Sequence, residues 1–357
     1  MRTVVFNGSY LNLRATGIAS HTLNLWRSWR ALGLPVRGYL PPSIEKESFD
    51  VRPVHLRGHL ARLAWNQCVL PALVRPGELL FNPVPEGPLL GASPQVTVAY
   101  DVIPLVYPEW FPRKVGYFKT IVPAALRRAK RVLCISEQTK ADLVRYYGLD
   151  PERLAVVYLA CDRTRFRPVA PDPVRLARYG LTPGKYFFYV GAHEPHKNLA
   201  RLIEGFARLD WEGLLAVAGA CDPRYTPALQ ERARQLGVAE RVLWLDYLEA
   251  VDLPLVYGSA RAFAFVSLYE GFGLPVVEAM SCGTAVLTTN RGALAEIARD
   301  GALTVDPEDC GAIATGLAQL LDDTVCRQFQ ERANQRAEAF SLERTARESW
   351  QALAPYL

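Results

Sequence analysis

The stretch RAFAFVSLYEGFGLPVVEAMSCGTAVLTT, residues 261–289, contains a strand, a loop, a helix and a second strand. RAFAFVS is a short, mostly apolar run, which is typical of a strand that is buried on both faces of a parallel sheet. The helix that follows has Pro275 in its first turn and Gly283 just past its end, the places that these residues favour. TAVLTT is the next strand. This unit predicts an α/β fold with a mostly parallel sheet.

The same alternation of strands and helices runs through both halves of the chain. SEQTKADLVRYYG, in the first half, is a helix that Ser136 caps and Gly148 ends. The other predicted strands are short apolar runs: TVVFN, ELLFN, QVTVAYD and RVLCIS in the first half, and KYFFYVG, GLLAVAG and RVLWLDYL in the second. The repeated pattern predicts two Rossmann-like domains.

A segment rich in proline and arginine separates the two halves. RTRFRPVAPDP follows LAVVYLACD, lacks periodicity and is a linker candidate. We therefore expect an N-terminal domain at residues 1–168 and a C-terminal domain at residues 169–340, and a length of 357 residues suits two domains. The last helix, at about residues 341–357, is expected to pack back on the N-terminal domain.

Composition excludes several classes of protein. Half of the residues are hydrophobic and 22% are charged, as in globular chains. No apolar run approaches the roughly 18 residues of a membrane-spanning helix, and the first apolar run is too short for a signal peptide, so a cytoplasmic location is expected. Seven scattered cysteines lack metal-ligand spacing, and no metal site is predicted. The absence of GxxxxGK[ST] and GxGxxG motifs argues against a nucleotide triphosphatase or a dehydrogenase.

The segment EGFGLPVVE, Glu270–Glu278, is the strongest chemical signal. Ligands of such sheets bind beyond the carboxyl ends of the strands, where this segment lies. The backbone N–H groups of Gly273 and Leu274 would face an anion at the helix start. Glu278 leans back toward the same mouth, where a ribose diol would suit it, and Glu270 can face a sugar. Alternatively, Glu278 complements the helix dipole and Glu270 is an exposed side chain.

These residues carry a resemblance to a known family. Glu270 and Glu278, with seven residues between them, resemble the two-glutamate signature of the retaining glycosyltransferases of family four, which have the GT-B fold. Three further stretches resemble motifs of that family and occur in the expected order. They are TGIASHTLNL, DVIPLVYPEWFP and VGAHEPHKNLARLIEGFARL. The second of these is similar to a loop of the mannosyltransferase-like group-1 branch. The resemblance implies two Rossmann-like domains that face each other across a cleft.

The resemblance also implies roles for individual residues. Lys197 would be the cation of a phosphate clamp, since negative charge grows on the departing diphosphate, although a solvated lysine is the alternative. Asp101 would orient the acceptor or catalytic groups, or simply cap its local turn. The catalytic candidates are Glu270 and Asp101. The substrate-binding candidates are Gly17, His193, Lys197, Gly271, Phe272, Gly273, Leu274 and Glu278.

Two positions depart from the family pattern. Ala192 follows Gly191 where many relatives have an arginine, which leaves the clamp with less charge. Tyr100 precedes Asp101 where relatives often have a histidine. These departures support a second hypothesis, a catalytically silent, two-lobed protein that binds carbohydrate or nucleotide sugar. A glycosidase ranks lower, because the two glutamates are expected to face different parts of one donor.

The predicted function is that of a retaining, metal-independent hexosyltransferase of polysaccharide biosynthesis, with a nucleoside-diphosphate sugar as co-substrate and no cofactor. The resemblance favours GDP-mannose, with UDP-hexoses as the alternative, and a glycan or lipid-linked acceptor. No nucleic-acid partner is expected.

Three further patterns carry weaker chemical signals. HTLNLWRSWRALGLPVRG and RKVGYFKTIVPAALRRAKR are two basic, aromatic stretches that either rest on the anionic inner face of a membrane or form ordinary amphipathic core helices. HEPH, at His193–His196, is not the HExxH zinc motif. His55 and His59 are expected at the surface or on the acceptor side.

Overall fold

The computed structural model describes residues 2–12, 17–42, 44, 51–54, 56, 58–246 and 248–357. The chain divides into two compact units, Met1–Ala160 with Leu342–Leu357, and Cys161–Ser341. The division lies at Ala160, whereas the sequence analysis placed it at residue 168. The reason is that the linker candidate packs within the second unit, where the buried Phe166 ring lies 6.2 Å from that of Tyr257.

Two parallel sheets form the centres of the two units. Within the described residues, the strands of the first unit are β1 Val4–Asn7, β2 Val36–Leu40, β3 Val51–Pro53, β4 Leu79–Asn82, β5 Gln95–Ala99, β6 Arg131–Cys134 and β7 Leu154–Val156. The strands of the second unit are β8 Tyr186–Val190, β9 Leu214–Ala218, β10 Val242–Leu245, β11 Ala262–Phe265, β12 Val286–Thr289 and β13 Leu303–Val305.

Helices connect these strands. Those of the described residues are, in chain order, α1 Gly17–Ala31, α2 His59–Ala64, α3 Leu70–Leu73, α4 Ile103–Val106, α5 Pro112–Arg128, α6 Glu137–Tyr147, α7 Pro173–Ala177, α8 Leu199–Ala207, α9 Thr226–Gln235, α10 Leu253–Ser259, α11 Leu274–Ser281, α12 Gly292–Ala298, α13 Cys310–Gln319, α14 Asp323–Ala337 and α15 Leu342–Leu353. In the part of the chain that the structure describes, no helix is both long enough and apolar enough to cross a bilayer.

The strand order explains why the strands are so apolar. The first sheet runs β3-β2-β1-β4-β5-β6-β7 and the second β10-β9-β8-β11-β12-β13, and each recorded pair is parallel. Parallel strands joined by helices have helices on both faces, so the sheet contributes a wholly buried core. The residues of β1 and β11 are accordingly all buried. The predicted α/β class with two Rossmann-like domains is confirmed.

The last helix belongs to the first unit. Trp29 of α1 donates a hydrogen bond from Nε1 to the Ala346 carbonyl, at 3.1 Å, and its ring lies 5.5 Å from that of Trp350. Thr345 donates from Oγ1 to the Tyr158 carbonyl, at 2.8 Å. The buried face of α15 is thus paired with α1 and with the segment after β7, which keeps the end of the chain with the sheet where the chain began.

Candidate active site

The second sheet reverses its order between β8 and β11. These strands are neighbours, with β9 and β10 on one side and β12 and β13 on the other. At such a switch point the connecting loops leave in opposite directions and open a crevice at the carboxyl ends of the strands. The loops after β8 and β11, which contain the predicted phosphate-binding and two-glutamate segments, both start at this crevice.

Asn198 holds these two loops together. Its backbone adopts a left-handed φ of 61°, which asparagine tolerates better than most residues. Its buried Nδ2 donates to the carbonyl of Val266, just past β11, at 2.9 Å. A backbone bond of 2.8 Å from Leu268 to the His196 carbonyl adds a second link. The loop after β8 is therefore held against the loop after β11.

The start of α11 lies at the end of the second loop. Gly273 precedes the helix with a φ of 111°, in the region that favours glycine. A Cβ at this position would lie 2.3 Å from Cδ2 of Leu294, so glycine also lets the chain pass close to α12. The first N–H groups of a helix have no carbonyl acceptor within it. In α11, Pro275 has no N–H, and Val276 and Val277 donate to the Gly273 carbonyl. The N–H groups of Gly273 and Leu274 are therefore the donors offered to an anion at this edge of the sheet.

Lys197 and Glu270 form an ion pair at the crevice. Lys197 Nζ lies 2.7 Å from Oε1 and 2.9 Å from Oε2 of Glu270. The ammonium also lies 5.4 Å from the centre of the Phe265 ring, within the range of a cation–π contact. The two side chains are 17% and 10% exposed, so the pair is largely withdrawn from water. The structure thus brings together the candidate clamp lysine and the candidate catalytic glutamate.

Glu278 lies inside α11 and faces α10. Its Oε2 accepts a hydrogen bond of 3.1 Å from the Tyr257 hydroxyl. Burial raises the pKa of Glu278 to about 7, and the Tyr257 hydrogen bond and the charge of Arg165 only partly oppose that rise. The Glu278 carboxyl group therefore ionises near neutral pH. Only above its pKa is it fully charged and able to accept hydrogen bonds from both hydroxyls of a diol.

The raised pKa predicts a pH-dependent stability. The folded pKa of about 7 exceeds the ordinary value of 4.5, so the stabilising contribution is complete below pH 4.5 and is lost as the pH rises through 7. The loss amounts to about 3 kcal/mol. The variant Glu278→Gln lacks the ionising group and so does not lose this contribution. The free energy of unfolding of the variant, relative to that of the native chain, should therefore increase as the pH rises. Parallel urea-unfolding profiles from pH 5 to pH 8 would contradict the assignment.

His193 lies at the end of β8 but on the side of β9 and β10. Its Nδ1 is 2.7 Å from Oγ1 of Thr226, and its ring packs edge-on to Trp244 at 5.5 Å. Oγ1 of Thr226 already accepts from the Asp222 N–H at 2.8 Å, so the threonine hydroxyl can donate to the histidine. Burial lowers the pKa of His193, which favours the neutral ring. Among the described residues, these contacts of the ring are with Thr226 and Trp244 and not with the Lys197–Glu270 pair.

Phe272 and Gly271 are both buried. The Phe272 side chain is 3% exposed, and its ring packs edge-on to Phe340 at 5.8 Å. The phenyl ring is therefore part of the core of the second unit, and a contact with substrate at this residue could come only from the backbone. The expectation that the backbone from Gly271 to Leu274 holds the ligand stays a prediction.

The remaining candidates, Asp101 and Gly17, belong to the first unit. Oδ1 of Asp101 accepts a hydrogen bond of 3.0 Å from the Ile103 N–H, so the side chain does cap the turn that leads into α4. Gly17 opens α1 and is exposed. Tyr100 is 7% exposed and donates from its hydroxyl to the Pro83 carbonyl at 3.0 Å, which makes it a core residue.

His21 is a polar residue that the sequence analysis did not single out. It lies on α1, 7% exposed, and its ring is edge-on to Tyr100 at 6.2 Å. Burial lowers the pKa of His21 to about 4, so the ring is neutral at pH 7. One feature of the sequence could have identified His21. It lies one turn into the helix that follows the first glycine-containing loop.

His55 and His59 are the two histidines expected at the surface or on the acceptor side. His55 is not among the described residues. His59 is exposed, and its Nδ1 lies 2.7 Å from Nη2 of the buried Arg62. Because arginine can only donate, the His59 nitrogen is the acceptor of this hydrogen bond. Within the described ranges, no three His, Cys, Asp or Glu side chains lie close enough together to share a metal ion.

Two family models match the chain. Residues 178–340 match the model described as "Glycosyl transferases group 1", and residues 90–165 match "Glycosyltransferase Family 4". The first range contains the whole crevice with Lys197, Glu270 and Glu278. The second contains Asp101.

Curated relatives share about a third of the aligned residues. O-antigen chain mannosyltransferase B of Escherichia coli is 32% identical over 244 residues, 66% of this chain and 63% of the relative. O-antigen chain mannosyltransferase RfbU of Salmonella typhimurium is 30% identical over 218 residues, 60% of this chain and 57% of the relative. The matched part thus spans less than two thirds of each relative.

Solved structures match over nearly the full length. Sucrose-phosphate synthase of Thermosynechococcus elongatus has a TM-score of 0.81 at 18% identity, covering 99% of both chains. Anabaena HepE in complex with UDP-glucose has a TM-score of 0.80 at 17% identity, covering 99% of this chain and 100% of the other. At these identities the likeness establishes the fold. With both family models matched and the GT-B fold shared, the chain belongs to the group 1 glycosyltransferases of family four.

Proposed function

We propose that the chain is a retaining hexosyltransferase that takes a hexose from a nucleoside-diphosphate sugar and transfers it to a glycan or lipid-linked acceptor. The observation that carries the proposal is the Lys197–Glu270 pair at the switch point of the second sheet, beside the start of α11. A cation and the amide donors of Gly273 and Leu274 suit a diphosphate, and a neighbouring carboxylate suits the hydroxyls of a sugar.

Each residue has a distinct part in this proposal. Lys197 and the N–H groups of Gly273 and Leu274 stabilise the charge that grows on the departing diphosphate, without a metal or another cofactor. Glu270 holds the hexose, and Glu278 accepts hydrogen bonds from the ribose. The bond between the anomeric carbon and the phosphate oxygen breaks while the acceptor oxygen bonds to the same face. The acceptor proton passes to the leaving phosphate, so configuration is retained.

The relatives support mannose as the hexose. Two of them are named O-antigen mannosyltransferases, and a third is named MMP α-(1→4)-mannosyltransferase. GDP-mannose is therefore the proposed donor, and an O-antigen-like glycan is the proposed kind of acceptor. HepE, by contrast, was solved with UDP-glucose, so UDP-hexoses belong in the same test.

A thermal-shift screen over GDP-mannose, UDP-glucose and UDP-galactose tests the donor. The proposed donor should raise the Tm by several degrees, since a ligand at about 100 times its Kd adds about 2.7 kcal/mol to stability. Incubation of the protein with that donor should then release nucleoside diphosphate, and EDTA should leave the rate unchanged.

The two readouts separate the candidates. A donor that stabilises the protein but is never turned over, with any glycan acceptor offered, would favour the catalytically silent binding protein instead. The absence of any shift across the screen would remove the proposed donor site. A rate that falls in EDTA would contradict the metal-independent mechanism.

We also propose that α5 makes peripheral contact with an anionic membrane surface. It contains no acidic residue, and its exposed basic side chains are Arg113, Lys114, Lys119 and Arg127. The other candidate stretch is less suitable, because Arg27 is the one exposed basic side chain of α1.

Sedimentation with phosphatidylglycerol vesicles tests this contact. The native chain should sediment at low salt and less at high salt, because exposed charges are screened. Arg113→Glu with Lys114→Glu should weaken binding at least about tenfold, since each basic residue near the surface contributes about 1 kcal/mol. Arg327→Glu with Arg332→Glu, on α14, makes the same change in charge and serves as the control. Equal losses in both variants would show that net charge, not α5, governs binding.

A further inference from the structure

In the Lys197–Glu270 pair, the ammonium and the carboxylate that a sugar nucleotide would contact are bonded to each other. The lysine ammonium has three N–H donors, and it contacts both oxygens of one carboxylate at 2.7 and 2.9 Å. With the side chains 17% and 10% exposed, water cannot readily take the place of either partner. Any anion that binds at the start of α11 must therefore compete with Glu270 for the ammonium.

A nucleoside diphosphate alone satisfies only half of this site. When its phosphates draw Lys197 away, Glu270 remains largely buried and loses the cation that offsets its desolvation. It also stands as a like charge close to the diphosphate. Both effects oppose binding, so the affinity for a bare diphosphate is lower than the lysine and the helix start would otherwise provide.

A sugar nucleotide satisfies both halves. Its diphosphate takes the ammonium, while hexose hydroxyls donate hydrogen bonds to the released Glu270 carboxylate. Hydrogen bonds to a charged group are stronger than those between neutral groups, so the hexose replaces much of the interaction that Glu270 loses. The cost of opening the pair is offset only when diphosphate and hexose arrive on the same molecule.

We infer that the Lys197–Glu270 pair makes the site discriminate a sugar nucleotide from the spent nucleoside diphosphate, and so drives release of the diphosphate after transfer. The inference rests on the proposed function and deepens it. Transfer removes the hexose from Glu270, and the carboxylate then competes again for Lys197. The diphosphate product therefore loses its contact with Lys197 and dissociates more readily.

Isothermal titration with GDP and UDP tests the inference without requiring turnover. Glu270→Gln, which removes the charge but keeps the shape, should bind the diphosphate about tenfold more tightly than the native chain, or about 1.4 kcal/mol. Glu270→Ala should do the same, which excludes a new hydrogen bond from the glutamine amide as the cause. With GDP-mannose or UDP-glucose the gain should be smaller or reversed, because the hexose loses its acceptor.

A double-mutant cycle isolates the pair from simple charge repulsion. In a Lys197→Met background, Glu270→Gln should raise the affinity for the diphosphate clearly less than in the native background, because no ammonium remains to be freed and only the repulsion is relieved. An equal gain in both backgrounds would overturn the inference and leave repulsion as the explanation.

Glu194→Gln is the matched control. Like Glu270, Glu194 lies near enough to Tyr189 for its charge to help raise the pKa of that buried hydroxyl, but no ion pair joins it to Lys197. It should change the affinity little. Native protein that binds GDP or UDP but shows no gain in Glu270→Gln overturns the inference alone. Native protein that binds neither diphosphate overturns the proposed donor site as well.

Discussion

Replacing Glu270 with alanine is expected to lower the rate of hexose transfer about a thousandfold, the scale on which a preorganised polar group near the reacting centre acts. The carboxylate lies at the crevice, paired with Lys197, and its side chain is only 10% exposed. Because it is largely buried, a solvent-exposed side chain cannot take over its role. Binding of the nucleoside diphosphate should persist and tighten, because Lys197 is released from the pair and the start of α11 remains. The measurement is the rate of diphosphate release at saturating donor.

The control for this variant is Glu194→Ala, in the loop after β8. The Glu194 side chain is 27% exposed and lies 4.0 Å from His196, without a bond to Lys197. Its loss should change the transfer rate no more than a few-fold. Turnover of Glu270→Ala within a few-fold of the native rate would remove Glu270 from the catalytic residues.

Gly273→Ala is expected to lower the free energy of unfolding by about 3 kcal/mol, from backbone strain together with overpacking. The backbone φ of 111° is unfavourable for any residue with a side chain, and the new Cβ would meet Cδ2 of Leu294 at 2.3 Å. Relief of that contact would shift the start of α11, where the diphosphate is proposed to bind. Donor affinity should therefore fall together with stability, as measured by urea unfolding and titration.

Gly237→Ala separates the two causes. Gly237 has a φ of 71° and no heavy atom within 4 Å of an added Cβ, so it carries the strain without the contact. It should lower the free energy of unfolding by only about 1 kcal/mol and leave donor affinity unchanged. Equal losses in the two variants would show that the approach of α12 to Gly273 contributes nothing.

Local patterns were sufficient for the elements around the site. Pro275 and Gly283 marked α11, and the structure places that helix at Leu274–Ser281. Ser136 and Gly148 likewise bound α6, where Ser136 accepts from the Thr139 N–H and Gly148 is left-handed. Caps, proline and glycine act over one turn of chain, so they are readable without knowledge of the fold.

Local sequence patterns did not predict which side chains of the motif segments are buried. Phe272 and Tyr100 stand in motif segments, yet both side chains are core residues. Asp101 caps its turn, an alternative that the sequence left open. Which side of a loop faces the core depends on the elements packed against it, and those come from distant parts of the chain.

The amino-acid sequence by itself determined the parallel α/β class, the strand–helix units and the helix start that offers amide donors, because periodicity and end signals are local. Only the tertiary structure decided that Lys197 and Glu270, 73 residues apart, form one largely buried pair. It also decided that Glu278 meets Tyr257, with a pKa raised to about 7. Strand order sets which loops meet, and burial sets the charge of the groups between them.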